Sequence, residues 1–220
     1  MKKYLFLCAV ILLAVSCSHT SRAVQYPDMV ADIEPFSIGS VNLSLDQAFS
    51  STLRNTSADV VFYPRENEVA LEFDNKLGQY QLFWNKEARQ LFIEASNRYK
   101  DDFANQNLTT KYSKSRVAYG KIKNRLQWKT IKFSGSYRSS PVTELGYRFV
   151  DKAPYFITRQ NTATEETKTN KDLTSSPNFT IYFTRAQAED LAQLFDDTFL
   201  RNTVRDVAPP PAASTYRDEY

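Results

Sequence analysis

Apolar and polar side chains alternate with a period of two in three short segments, residues 59–64 (DVVFYP), 68–74 (EVALEFD) and 79–84 (QYQLFW). Such alternation puts successive side chains on opposite faces of a strand, so each segment is expected to lay one apolar face on a core. Asn75-Lys76-Leu77-Gly78 separates the second segment from the third as a turn. From Asn85 the period lengthens to that of a helix. Ala88, Leu91, Phe92, Ala95, Tyr99 and Phe103 fall on one face, Asn85 stands as N-cap, and Glu87 lies near the positive end of the helix dipole. Asp101 and Asp102 sit badly at a helix C-terminus, which leaves that end undefined.

A second group of strand patterns follows over residues 116–125, 126–133, 146–150, 155–159 and 179–183. Thr184 with Gln187 then forms a capping box, opening a helix whose Ala188, Leu191, Phe195 and Phe199 share a face. Ser44 with Gln47 suggests a shorter helix reaching Leu53, and residues 161–178 (NTATEETKTNKDLTSSPN) read as a long polar loop. Two groups of strands, each followed by a helix, predict an α+β domain: an antiparallel β-sheet of about six to eight strands with two main helices packed on it. The alternative architecture is a PH-like sandwich or small barrel capped by the C-terminal helix.

The ends of the chain are different in kind. Lys2 and Lys3 precede a largely apolar run over residues 4–15, which closes on Ala14-Val15-Ser16-Cys17. The run is too short to span a bilayer comfortably, and a basic start with a small residue before the cut describes a secretory signal. The segment resembles the signal of bacterial lipoproteins, whose lipobox ends in a small residue followed by the cysteine that is lipidated. In this chain Ala14 stands where leucine is commonest, with Leu13 one place earlier. The resemblance implies that residues 1–16 are a lipoprotein signal peptide and that Cys17 carries the lipid and becomes the first residue. It also implies that Ser18 follows the pattern sorted to the outer membrane in a host with two membranes. Residues 17–35 contain two prolines and no sustained periodicity and are expected to be a lipid-anchored tether. Residues 36–203 are the single domain, and residues 204–220, with three consecutive prolines, a Pro-rich tail.

Cysteine and histidine usage narrows the chemistry. Cys8 lies in the expected signal and Cys17 is assigned to the lipid, so the exported domain has no thiol for a disulfide, a nucleophile or a metal. The one histidine, His19, lies in the tether, where nothing holds it in place for catalysis. Histidine-dependent nucleophile systems and zinc sites are thereby excluded from the domain. Loss of Lys2 and Lys3 with the signal takes the net charge from +3 to +1, so nothing marks the chain for nucleic acid. The 15 Phe and 13 Tyr against 5 Gly favour a compact sheet-containing domain over a disordered chain. The glycines form neither a dinucleotide nor a P-loop pattern.

Charge is nevertheless uneven. From Phe103 to Val142 there are nine basic residues and no Asp or Glu. Lys121, Lys123, Arg125, Gln127 and Lys129 alternate with Ile122, Asn124, Leu126, Trp128 and Thr130, which on one strand holds the cations on a single face. Read functionally, this is an anion-binding face for lipid headgroups, lipopolysaccharide phosphates or glycan acids, with Tyr119 or Tyr137 placed to stack beside it. Read structurally, the cations pair across strands with Glu66, Glu68, Glu72 and Asp74, and this second reading expects the two strands to be neighbours. The four carboxylates point in parallel rather than converging, so no metal is expected on them, and no cofactor motif appears. The resulting expectation is a non-enzymatic, lipid-anchored envelope module that binds an envelope protein or anionic envelope polymer. The alternatives are a small-ligand or lipid carrier with a cavity between sheet and helices, and a hydrolase using carboxylates alone.

Overall fold

The computed structural model describes residues 28–46, 52–75, 78–111, 119–130, 135–166 and 175–208; Cys17, the signal and the tail from residue 209 lie outside them. The chain runs β1 (Phe36–Asp46), β2 (Leu53–Tyr63), β3 (Glu68–Asn75), β4 (Gly78–Trp84), α1 (Lys86–Ala104), β5 (Gly120–Lys123), β6 (Arg125–Thr130), β7 (Tyr137–Ser139), β8 (Val142–Val150), β9 (Ala153–Gln160), β10 (Phe179–Phe183), α2 (Arg185–Leu194) and α3 (Asp197–Val207). All ten strands join one antiparallel sheet in the order β5-β8-β9-β10-β1-β2-β3-β4-β6-β7. The α+β class stands, with ten strands and three helices among the described residues instead of six to eight and two.

The sheet curls. Strands β5 and β6 lie far apart in its order, yet only Asn124 separates them in the chain. Lys123 opposes Val142 and Leu126 opposes Ser139, so one register runs through β5-β6 against β7-β8, and the Asn124 N–H donates to the Pro141 carbonyl at 3.1 Å. This hairpin is a single bent ribbon that pairs with β4 through one half and with β9 through the other. Proline supplies no donor for a regular ladder, which suits the bend.

Period-two alternation turns one apolar face inward. Val60, Leu71, Leu82 and Leu126 are successive register partners across four strands, each at 0 % exposure. Helix α1 packs on β4, β5 and β8, and α2 on β1, β9 and β10. Between helices and sheet, Phe92 meets Trp84, Phe156, Phe183 and Phe195 with ring centroids 5.1–6.0 Å apart, nearly all edge to face. Contacts of this kind add about 0.5–1.5 kcal/mol each beyond the burial of the rings.

Several expectations need correction. The helix expected from Ser44 to Leu53 is absent among the described residues. Ser44 lies within β1, with its hydroxyl 2.8 Å from Asn55 Oδ1 of the paired strand, and Leu53 opens β2; residues 47–51 lie outside the description. Burial of Val41, Leu43 and Leu45 on a central strand outweighs a local capping pattern. The C-terminal helix is two helices. Phe195 ends α2, and Asp196 caps α3 by accepting from the Phe199 N–H at 2.9 Å, so Leu200 and Val204 are buried and Phe199 turns outward. The domain therefore runs past residue 203. It also begins before residue 36: Val30, Ala31 and Ile33 pack on the core, the Val30 N–H donates to the Pro64 carbonyl, and Arg65 pairs with Asp32 at 2.6 Å and Glu34 at 2.8 Å.

Arg89, on α1, is fully buried. Its guanidinium donates to the Asn67 carbonyl at 2.7 Å, to Asn67 Oδ1 at 2.9 Å and to Asp197 Oδ1 at 2.8 Å. Burial pushes its pKa down and Asp197 draws it back up. One side chain thus fastens α1 to the β2–β3 turn and to the start of α3. Arg89→Ala, which takes the guanidinium from Asn67 and leaves Asp197 with Lys86 at 3.6 Å, is expected to cost about 3 kcal/mol in denaturant unfolding; this is the lower edge for a broken buried pair because Asp197 stays 31 % exposed. Thr158 gives the opposite sign. Its hydroxyl is buried with no partner among the described residues, so Thr158→Val is expected to stabilise by about 1 kcal/mol and raise the melting temperature by about 2–4 °C.

Candidate functional site

The four cations singled out by spacing do not share a strand. Lys121 and Lys123 lie on β5 and Arg125 and Lys129 on β6, on either side of the bend at Asn124. Lys121 Nζ is 3.3 Å from Glu144 on the paired strand β8. Lys123 borders a shallow groove against α1 that includes Glu87 and Glu94. The Arg125 guanidinium lies 3.5 Å above the Phe83 ring and bonds to Glu68. Lys129 stands opposite Gln79.

The anticipated adjacency of acidic and basic strands is also corrected, because β4 lies between β3 and β6, and β5 is remote in the sheet order. One anticipated partnership survives, since Arg125 is long enough to reach Glu68 across β4 over Phe83. Neither tyrosine is left to stack on a ligand. Tyr119 is buried, donates to Asp102 Oδ2 at 2.9 Å and is pushed well above its ordinary pKa by burial and by that carboxylate; Tyr137 is buried against Trp128. Among the described residues no three His, Cys, Asp or Glu side chains are placed to hold a metal ion.

A different feature emerges on the outer face. A groove of about 440 Å³ crosses β2, β3, β4 and β6. Its chemistry is set by register. Asp59 opposes Glu72, Glu72 opposes Gln81 and Gln81 opposes Gln127; one step along, Asp74 opposes Gln79 and Gln79 opposes Lys129. Strand spacing of about 4.8 Å makes each row a regular ladder of polar groups. Gln81 Nε2 donates to Glu72 Oε1 at 2.9 Å and Tyr63 Oη to the same oxygen at 3.4 Å, which holds that carboxylate in place. Burial first, and the Glu72 charge second, raise the Tyr63 pKa. At the end of the groove Gly78 is obligatory: its φ is +153°, and a Cβ there would lie 1.8 Å from the Lys129 carbonyl oxygen.

Sequence reasoning placed Glu72, Asp74, Gln127 and Lys129 on polar strand faces but missed Asp59, Gln79, Gln81 and the groove. The outward positions of each strand were legible. Which strands would lie side by side was not.

One of the carboxylate-paired cations has measurable structural work and the other does not. In a double-mutant cycle Arg125→Ala and Glu68→Ala are expected to couple by about 1–2 kcal/mol, because the pair is mostly buried and rests on an aromatic face. Lys121→Ala is expected to change stability by less than about 0.5 kcal/mol, since Lys121 is 59 % exposed in its pair with Glu144. Equal effects at Lys121 and Arg125 overturn this assignment.

Comparison with known proteins covers most of the fold. A family model described as uncharacterised Treponema protein matches residues 35–202, from just before β1 into α3. A protein of Treponema pallidum (strain Nichols), itself described as uncharacterized, is 24 % identical over 132 residues, which is 60 % of this chain and 47 % of that protein. The chain thus spans about half the length of this relative. No solved structure matches. Because the family model covers the sheet and the helices packed on it, the chain belongs to the family of uncharacterised Treponema proteins.

Proposed function

We propose that this chain is a lipid-anchored envelope lipoprotein whose folded domain is a non-enzymatic binding module, held to the membrane through Cys17. The observation that carries the reading is the place where the N-terminal segment meets the domain. Val30, Asp32 and Glu34 are fastened to Pro64 and Arg65 at the β2–β3 turn. The groove lies further along the same strands, about five to seven residues or roughly 20 Å from that turn. A lipid on Cys17 would be separated from Val30 by thirteen residues, at most about 45 Å of extended chain. The anchor therefore limits the domain to a thin layer at the membrane, with the groove on the side away from the attachment. Lacking thiols and any histidine but His19, the domain works in this reading by contact, with an envelope protein or envelope polymer as partner.

The mixed lining of the groove and the two carboxylate-paired cations favour this site over a purely cationic face at Lys121, Lys123, Arg125 and Lys129. Cys17→Ser is expected to abolish labelling by a fatty-acid probe and to move the protein from membranes into detergent-free extracts. An unlabelled wild type with undiminished membrane retention in the variant overturns the anchor. Fractionation of the two membranes in the same cells tests the outer-membrane assignment that Ser18 suggests, and crosslinking in the native envelope followed by mass spectrometry identifies the partner.

A further inference from the structure

The outer groove contains groups of opposite hydrogen-bonding sense, interleaved. Asp59, Glu72 and Asp74 only accept, Lys129 only donates, and Gln79, Gln81 and Gln127 do both. The register rows place an acceptor-only carboxylate beside a glutamine at two steps, Glu72 next to Gln81 and Asp74 next to Gln79, and set the donor Lys129 on the far side of Gln79. Asp59, Asp74, Gln79, Gln127 and Lys129 all line the groove, so their side chains bring carboxylate, amide and ammonium groups to it.

This arrangement discriminates between ligand classes. A bound cation is served by acceptors alone, and three glutamine amides with a lysine among them work against it. An anionic polymer is served by donors alone, and three carboxylates repel it. A hydroxyl group donates and accepts at once, and needs both kinds of partner within reach of the same atom. The volume is that of a small-ligand site, and beside Phe73, Tyr80, Trp128 and Lys129 the lining is amide, carboxylate and hydroxyl, with Thr56, Ser57 and Ser136 among it. The spacing between strands, about 4.8 Å, repeats these partners at nearly the length of one sugar residue.

We infer that the groove across β2, β3, β4 and β6 binds a neutral saccharide chain, lying across the strands so that successive sugar hydroxyls meet the two register rows. The inference rests on the binding-module reading and names the ligand class of its site. The Gln81 and Tyr63 bonds to Glu72 preset one carboxylate before the ligand arrives, and Gly78 lets β4 and β6 approach at the groove's end with no side chain in the way. The charged strands that looked like an anion-binding surface then have a different role: Arg125, paired with Glu68, lies over Phe83 on β4 just beyond the groove, and Lys129 contributes one donor to it.

The test is calorimetric titration of the full chain in detergent with a panel of neutral tetrasaccharides: chitotetraose, cellotetraose, maltotetraose and laminaritetraose. Trilysine and a heparin tetrasaccharide serve as the charged rivals. The expected result is saturable heat with at least one neutral tetrasaccharide and none with heparin. Gln127→Ala and Asp59→Ala should each weaken that binding about tenfold or more while leaving the melting temperature within about 2 °C, as befits surface substitutions. Lys121→Ala, outside the groove, should leave it unchanged. No heat from any neutral tetrasaccharide up to about 10 mM, a concentration well above a millimolar dissociation constant, overturns the inference. Binding of trilysine or heparin in preference does so too, as does neutral binding that survives both groove variants. In these cases a partner crosslinked in the envelope would still support the module reading, so the two claims fail separately.

Discussion

The structure depends on one covalent constraint. Asn124 alone separates β5 from β6, and these two strands occupy distant places in the sheet. A ten-stranded antiparallel sheet left open would present edges at both ends, with unpaired backbone groups ready to join another chain. Here one bent ribbon pairs with β4 on one side of the bend and with β9 on the other. The sheet is thereby obliged to curl with its apolar side inward, and the inward positions of every strand must fill a shared interior. The row from Val60 to Leu126 and the row of Leu145, Thr158, Ile181 and Leu45 are consequences of that curl. So is the polar chain at the bend, in which Asn124 Nδ2 donates to Thr143 Oγ1 at 3.2 Å and Thr143 to Gln160 Oε1.

Helices attach to this curl by two kinds of force. The aromatic cluster around Phe92 provides most of the favourable burial and is largely indifferent to small shifts in direction. Arg89 is the directional element. A buried guanidinium tolerates displacement poorly, because each lost bond leaves a desolvated donor. Its bonds to Asn67 and Asp197 therefore fix the β2–β3 turn, α1 and α3 relative to one another. Asn67 adopts a positive φ of 52° at that turn, a conformation asparagine accepts more readily than most residues. The N-terminal segment attaches at the same turn through Pro64 and Arg65, so the point of attachment is also one of the best-fastened places in the fold.

Charge on this surface is organised by strand order. The basic run between Phe103 and Val142 is conspicuous in one dimension, but the bend divides it, and the carboxylates of Glu144 and Glu68 answer two of its members. The groove is the converse case. Asp59, Glu72, Gln81 and Gln127 are scattered through seventy residues and carry no motif, yet four strands bring them into one line. A mixed row of acceptors and amides has a chemistry that none of its members suggests alone.

Local physics is what the sequence determined by itself. Period-two alternation located β3 and β4 nearly to the residue, helical spacing and Asn85 located the start of α1, and the Thr184–Gln187 box located the start of α2, because strand faces and caps depend on residues a few positions apart. The outward placement of Glu68, Glu72, Arg125 and Lys129 was legible for the same reason. Tertiary structure alone decided what depends on distant partners. It kept Ser44 within the central strand β1 where a local cap suggested the start of a helix, split the last helix at Asp196, and turned an unremarkable Arg89 into a buried fastening. It also broke the basic strand at Asn124 and set β4 between the acidic and basic faces. Alternation states which side of a strand is apolar, but pairing energies between strands are small and similar for many partners, so the choice among them falls to how the whole sheet curls around its core.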